Sequence, residues 1–182
     1  MPDVRDAAPQ DRPETQRPWA VLIVYSWDLV LAILAVFGAL AAFAGGLAVG
    51  ATATVGLPLP VQLVAALASA SYAATLLIVA SLLTRRSRWV RTMQITTLSV
   101  AIALAALSLI VGYATSSGIA LGGLLGTILF MLLDLLVIVI MTERRVVAWY
   151  ADLSAAPRYL LATLGVWAAG EIALIVLSAV LH

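Results

Sequence analysis

The sequence contains no cysteine and no lysine, and its only histidine is residue 182. Without cysteine there is no disulfide, no thiolate nucleophile and no cysteine metal site, and the redox compartment goes unreported. Without an internal histidine the chain lacks the commonest general base and a haem ligand, and without lysine it cannot form a Schiff base. No HExxH or Walker-type motif occurs. These gaps remove most of the complementary groups an active site needs, so neither an enzyme nor a bound cofactor or metal is expected. Charge is scarce as well. Charged residues make up 10% of the chain and the net charge is +1, too little to suggest nucleic acid as a partner.

What replaces charge is apolar surface. The hydrophobic fraction of 64% and the mean hydropathy of +1.11 exceed the roughly 45–50% apolar share of a soluble domain. The lipid bilayer is therefore the expected solvent. A membrane-crossing helix needs about 20 mostly apolar residues, and such windows fall near 19–44, 60–83, 93–114, 119–141 and 160–181. The expected fold is an all-α, polytopic integral membrane bundle of five transmembrane helices occupying 19–182. Residues 1–18 mix Asp3, Asp6, Asp11 and Glu14 with Arg5, Arg12 and Arg17 among several prolines, which predicts a disordered tail rather than a cleaved signal peptide.

The connections alternate in charge. Gly45 to Leu59 and the short TSSG stretch, Thr115 to Gly118, are uncharged, and the former reads as a loop or a short surface-lying segment. The connection after the second span carries Arg85, Arg86, Arg88 and Arg91, and the one after the fourth carries Arg144, Arg145 and Arg158. The positive-inside rule puts the arginines in the cytoplasm, hence a cytoplasmic N-terminus and His182 outside. All ten basic residues being arginine, with abundant alanine and valine, suggests a high-GC bacterial genome and so a bacterial inner membrane. Trp19, Trp89, Trp149, Tyr150 and Tyr159 fall at the expected cytoplasmic interface, where amphipathic rings anchor. Residues 143–154 place Val146, Val147, Trp149, Tyr150 and Leu153 at helical spacing opposite the arginines, which predicts a short interfacial helix.

In lipid, helices associate through small residues and interhelical hydrogen bonds. Small-residue stripes run along Asp28, Ala32, Ala35, Ala39 and Ala42 in the first span and Gln62, Ala66, Ser69 and Ala73 in the second. The third offers Thr92, Thr96, Ser99, Ala103 and Ala106, and the fifth Thr163, Trp167, Glu171 and Ser178. In the fourth, Gly122 and Gly126 form a small-xxx-small pair, read first as packing within the chain and second as a homodimer face.

Three acids, Asp28, Asp134 and Glu171, are the only charged-type side chains inside the spans. At about 1.5 Å rise per residue they lie roughly 12 to 16 Å in from the cytoplasmic ends of their helices, so they are candidates to share a layer. No basic residue lies at that depth, and an apolar medium favours the neutral form of a carboxyl. Each acid is then expected to donate a hydrogen bond. Three uses remain open: fixing helix register, proton or cation handling, and contact with another subunit. A protease dyad of Asp28 and Asp134 has no supporting motif. The clusters Arg85, Arg86, Arg88, Arg91 and Arg144, Arg145 either set topology alone or also contact anionic lipid head groups.

Arg17-Pro18 leading into the first span, RRSRWVRTMQI between the second and third, and TERRVVAWY after the fourth resemble a broad set of small, uncharacterised bacterial and archaeal membrane proteins with four helices. In those, an arginine-rich turn with a tryptophan joins helices two and three, and a basic, aromatic segment, often RPEVRAYF, follows helix four. The likeness covers about 17–150. It leaves the fifth span outside, and Thr142-Glu143-Arg144-Arg145 lacks the proline. The resemblance implies a helical membrane fold and carries no activity or site residue with it. The sequence thus predicts an accessory or structural membrane component, working with a membrane protein partner or as a homo-oligomer. A small proton- or cation-coupled carrier or channel is the alternative.

Overall fold

The computed structural model describes residues 18–44, 46–49, 52–55, 58–115, 121–152 and 157–181. The predicted disorder of the tail, the TSSG connection beyond Thr115, Leu153 and His182 lie outside the described residues. Five helices are long and apolar enough to cross a membrane: α1 (Trp19–Phe43), α2 (Leu59–Leu82), α3 (Arg88–Thr115), α4 (Leu121–Thr142) and α6 (Arg158–Leu181), with a short α5 (Arg144–Trp149) between the last two. Prolines mark three starts. Pro18 and Pro58 precede α1 and α2, Pro60 sits in the first turn of α2, and Pro157 precedes α6, positions where the missing N–H has no helical partner to lose.

Two expected boundaries move. α3 begins at Arg88 rather than near residue 93, so Arg88 and Arg91 are helical. Apolarity sets where a helix must be, not where it stops; arginine is a good helix former, and the Arg88 N–H finds the Asp152 carbonyl at 3.0 Å. The segment after α1, read as a loop or surface-lying stretch, contains a two-stranded antiparallel ladder, β1 (Gly46–Val49) with β2 (Thr52–Val55), registered Gly46 to Val55 and Val49 to Thr52. Val49, Thr52, Thr54 and Val55 are β-branched and suit a strand; hydropathy alone does not carry that signal.

α1 packs most extensively on α2 and α2 on α6, while α3 lies against both α4 and α6 and a smaller α1–α4 contact completes the circuit. The packing is inverted relative to a soluble protein. Large apolar residues of α1 such as Leu22, Ile33, Leu34 and Phe37 face outward, whereas Ala32, Ala39 and Ala42 are buried with Asp28. Lipid is as apolar as leucine, so small and polar side chains gain most from the interior.

The predicted stripes of α1 and α2 fall on buried or half-buried faces, with Ala66 and Ala73 inside. That of α3 is out of phase: Thr92, Ser99 and Ala103 are exposed, and the buried face is Val90, Met93, Gln94, Thr97 and Leu98. Those buried residues all belong to the N-terminal part of α3, just as the buried residues of α4, Asp134, Val137 and Met141, belong to its C-terminal part. The two helices are therefore held at the arginine-bearing end and thinly packed beyond it. α1, α2 and α6 stay in contact further out, where Ala42, Ala65, Ala66 and Leu174 cluster.

Candidate functional site

The three acids enter the bundle from three different helices, and their partners come from others. Asp28 on α1 is fully buried, and its Oδ1 accepts a hydrogen bond of 2.5 Å from the Gln94 amide on α3. Asp134 on α4, 6% exposed, accepts one of 2.8 Å from the indole N–H of Trp27 on α1. Glu171 on α6 takes a hydrogen bond from Trp167, one turn earlier on the same helix. On α2, Tyr72 stacks on Trp167 with ring centroids 4.1 Å apart, and all three carboxyls act on it electrostatically. Asp28 and Asp134 also act on each other. The acids thus share one layer around Tyr72, to which all five spans contribute.

The expectation that each acid donates to a hydroxyl, amide or carbonyl is corrected in its direction: the contacts are N–H groups donating to carboxyl oxygens. Indole and primary amide are the strongest neutral N–H donors available in a chain without lysine or histidine at this depth. Two of these donors, Trp27 and Gln94, were not singled out from the sequence. A signal existed, because a tryptophan beside an acid nine residues inside a span is misplaced for an interfacial anchor, and Gln94 is the sole amide within its span.

Not every polar atom in the layer is matched. Oδ2 of Asp28, Oε1 of Gln94 and Oγ1 of Thr97 are buried without a hydrogen-bond partner. All three residues are 0% exposed. Thr97 stands out among its kind, for the hydroxyls of Thr75, Thr92, Thr115 and Thr127 each donate to the carbonyl four residues back, the usual resort of threonine in a helix.

At the arginine-bearing end the two charged connections are stitched together. The Asp152 N–H donates to the Arg86 carbonyl and the Arg88 N–H to the Asp152 carbonyl, both at 3.0 Å, a single parallel bridge with Ser87. α5 is shorter than the interfacial helix expected over 143–154, and two of its apolar positions point inward, Val146 and Tyr150 being buried. Tyr150 is no interface anchor. Its hydroxyl donates to the Leu83 carbonyl at 2.9 Å, satisfying one of the acceptors left free where α2 ends. Trp19 and Tyr159, 68% and 56% exposed, remain available to a membrane interface.

The Arg86 guanidinium lies 4.1 Å over the Trp149 ring, and Arg91 donates its Nε–H to the Met141 carbonyl at 2.8 Å. Arg85, Arg88, Arg144 and Arg145 are exposed.

The glycines divide sharply. A Cβ added to Gly170 would stand 2.8 Å from the Cβ of Ala68, so α6 approaches α2 as closely as backbone allows. Added to Gly122 or Gly126, it would meet nothing within 4 Å. Among the described residues, the small-xxx-small pair of α4 therefore has no close packing partner, contrary to its first reading. Comparison with protein-family models, with curated proteins and with solved structures gives no match.

Proposed function

We propose that this chain is a non-enzymatic, multi-pass membrane protein that serves as an accessory or structural component, docking through the thinly packed stretch of α4 onto a partner helix or a second copy of itself. The observation that carries this reading is the open pair Gly122 and Gly126, where an added Cβ would meet nothing within 4 Å among the described residues. Small residues at this spacing permit the close backbone approach on which membrane helices associate. The orientation that fits is arginines in the cytoplasm, and therefore the N-terminus inside and the C-terminus outside, in a bacterial inner membrane. Exposed Arg85, Arg88, Arg144 and Arg145 then face anionic lipid head groups.

The openness of the pair also makes the reading testable without disturbing the fold. Gly122→Ile with Gly126→Ile adds bulk where the monomer has room, so thermal stability should hold while association is lost. Native mass spectrometry of gently extracted, lipid-retaining protein reads the outcome. A monomer without any partner in the wild type, or an assembly indifferent to both substitutions, would remove the docking face.

A second reading is favoured by the polar layer. Asp28, Asp134 and Glu171, with Oδ2 of Asp28 buried and unmatched, suit a proton- or cation-coupled carrier or channel, tested by ion flux into proteoliposomes.

A further inference from the structure

We propose that Asp28 Oδ2, Gln94 Oε1 and Thr97 Oγ1 form a binding site for one dehydrated alkali cation between α1 and α3. The proposal deepens the second reading by naming an ion and a place, yet binding is a separate event from flux and is measured separately.

Three observations support it. Each of the three atoms is buried without a protein partner, and a buried oxygen left unmatched bears its full desolvation cost. Three such atoms on two adjoining side-chain sets are not a scatter of defects: Gln94 already touches Asp28, and Thr97, three residues along α3, falls on the same helical face as Gln94. Furthermore, Thr97 forgoes the backbone carbonyl that four other helical threonines use, leaving an oxygen lone pair free inside the bundle.

The chemistry of the donors selects the ion. Carboxylate, amide carbonyl and hydroxyl oxygens are hard ligands, suited to alkali and alkaline-earth cations and not to the transition metals that favour nitrogen and sulfur. Of the buried unmatched oxygens only one belongs to a carboxylate, Oδ2 of Asp28, and a single carboxylate neutralises a single charge. Arg91 directs its Nε–H to the Met141 carbonyl. Asp134, which acts electrostatically on Asp28, adds attraction for a cation rather than competing charge. The hydrogen bond from the Gln94 amide nitrogen holds the Asp28 carboxyl in place and leaves Oδ2 of Asp28 and Oε1 of Gln94 as the free oxygens of the pair. One monovalent cation would satisfy all three orphaned oxygens and neutralise the charge together.

The test uses the full chain in lipid nanodiscs at fixed pH and ionic strength. Radiolabelled sodium binding is measured by equilibrium counting, and thermal midpoint is followed as sodium, potassium or lithium chloride replaces choline chloride. The expected result is saturable binding of one ion per chain, with a midpoint that rises with the bound fraction. Thr97→Val should weaken the apparent affinity by about tenfold, and Asp28→Asn should abolish it. If Asp28→Asn does not fold, the Thr97→Val titration decides alone. Absence of any alkali-ion effect overturns the site, as does stability that follows pH while ignoring the cation, which would mean a proton on Asp28. A Thr97→Val titration superimposable on wild type overturns it too. Binding without flux in proteoliposomes upholds the site and ends the carrier reading.

Discussion

Trp27 and Asp28 are neighbours in the chain, yet they serve different helices: the indole reaches Asp134 on α4 and the carboxyl is held by Gln94 on α3. Consecutive helical residues diverge by about 100°, so this one dipeptide ties α1 to both α3 and α4. Trp27→Phe keeps an aromatic ring facing Phe130, which lies 5.8 Å from the indole, and removes the donor with part of the indole's bulk. It should destabilise the bundle by about 1 kcal/mol, in the range of interhelical hydrogen bonds in bilayers, when unfolding is titrated in bicelles. An unchanged curve would show that the bond is not formed in lipid. Tyr150→Phe isolates another donor. With the Leu83 carbonyl buried and deserted, a loss of about 1–3 kcal/mol is expected, and hydrogen exchange should rise at the end of α2. The acids themselves were legible from sequence, because a carboxyl inside an apolar run stands out in one dimension. Their partners were not, since a partner depends on which helices adjoin and how each is rotated.

Elements differ in how readily the chain discloses them. The five spans follow from hydropathy, which needs no knowledge of neighbours. The buried face of α3 does not: its hydroxyl-and-alanine stripe and its Val90, Met93, Gln94, Thr97, Leu98 stripe are both plausible inward faces when lipid accepts either. Adjacency is equally hidden. α6 packs on α2, with α3, α4 and α5 intervening in sequence, and the small residue that permits this, Gly170, carries no GxxxG pattern. The more conspicuous Gly122 and Gly126 meet no close neighbour among the described residues. Gly170→Ala forces a methyl to 2.8 Å from Ala68, where neither helix can yield without moving its backbone. A cost of about 1–3 kcal/mol is expected from such overpacking, while Gly165→Ala, with open space at its Cβ, should be neutral or better. Equal thermal midpoints for the two variants would contradict the α2–α6 contact.

For the molecule as a whole, the stitched connections fix one matter that charge counting only suggests. Arg86, Arg88 and Asp152 share backbone hydrogen bonds, so the α2–α3 and α5–α6 connections occupy the same end of the bundle. A chain without cysteine allows this to be measured directly. Single cysteines at Thr84 and Glu143, both exposed, should react with an impermeant thiol reagent from one side of the membrane, and a cysteine at Ala114 from the other. Ser87 is a poor labelling site because it is 5% exposed. Reaction of Thr84 and Ala114 variants from the same side would break the five-span topology. The positive-inside expectation further requires that the shared side of Thr84 and Glu143 be the cytoplasm.

The late position of α6 also has a meaning for biosynthesis. Ala68 and its neighbours on α2 leave the ribosome well before their cover does, and three further helices must be made before Gly170 arrives to close over them. Through that interval the part of α2 that α6 later covers, Ala68 included, faces whatever else is in the membrane. The nascent protein therefore depends on an attendant, either lipid or an insertion factor, at one identifiable surface and for one identifiable span of elongation. A force-sensitive arrest sequence placed at successive points downstream of α6 should record its pull as that part of α2 is covered, and the pull should fade in the Gly170→Ala chain.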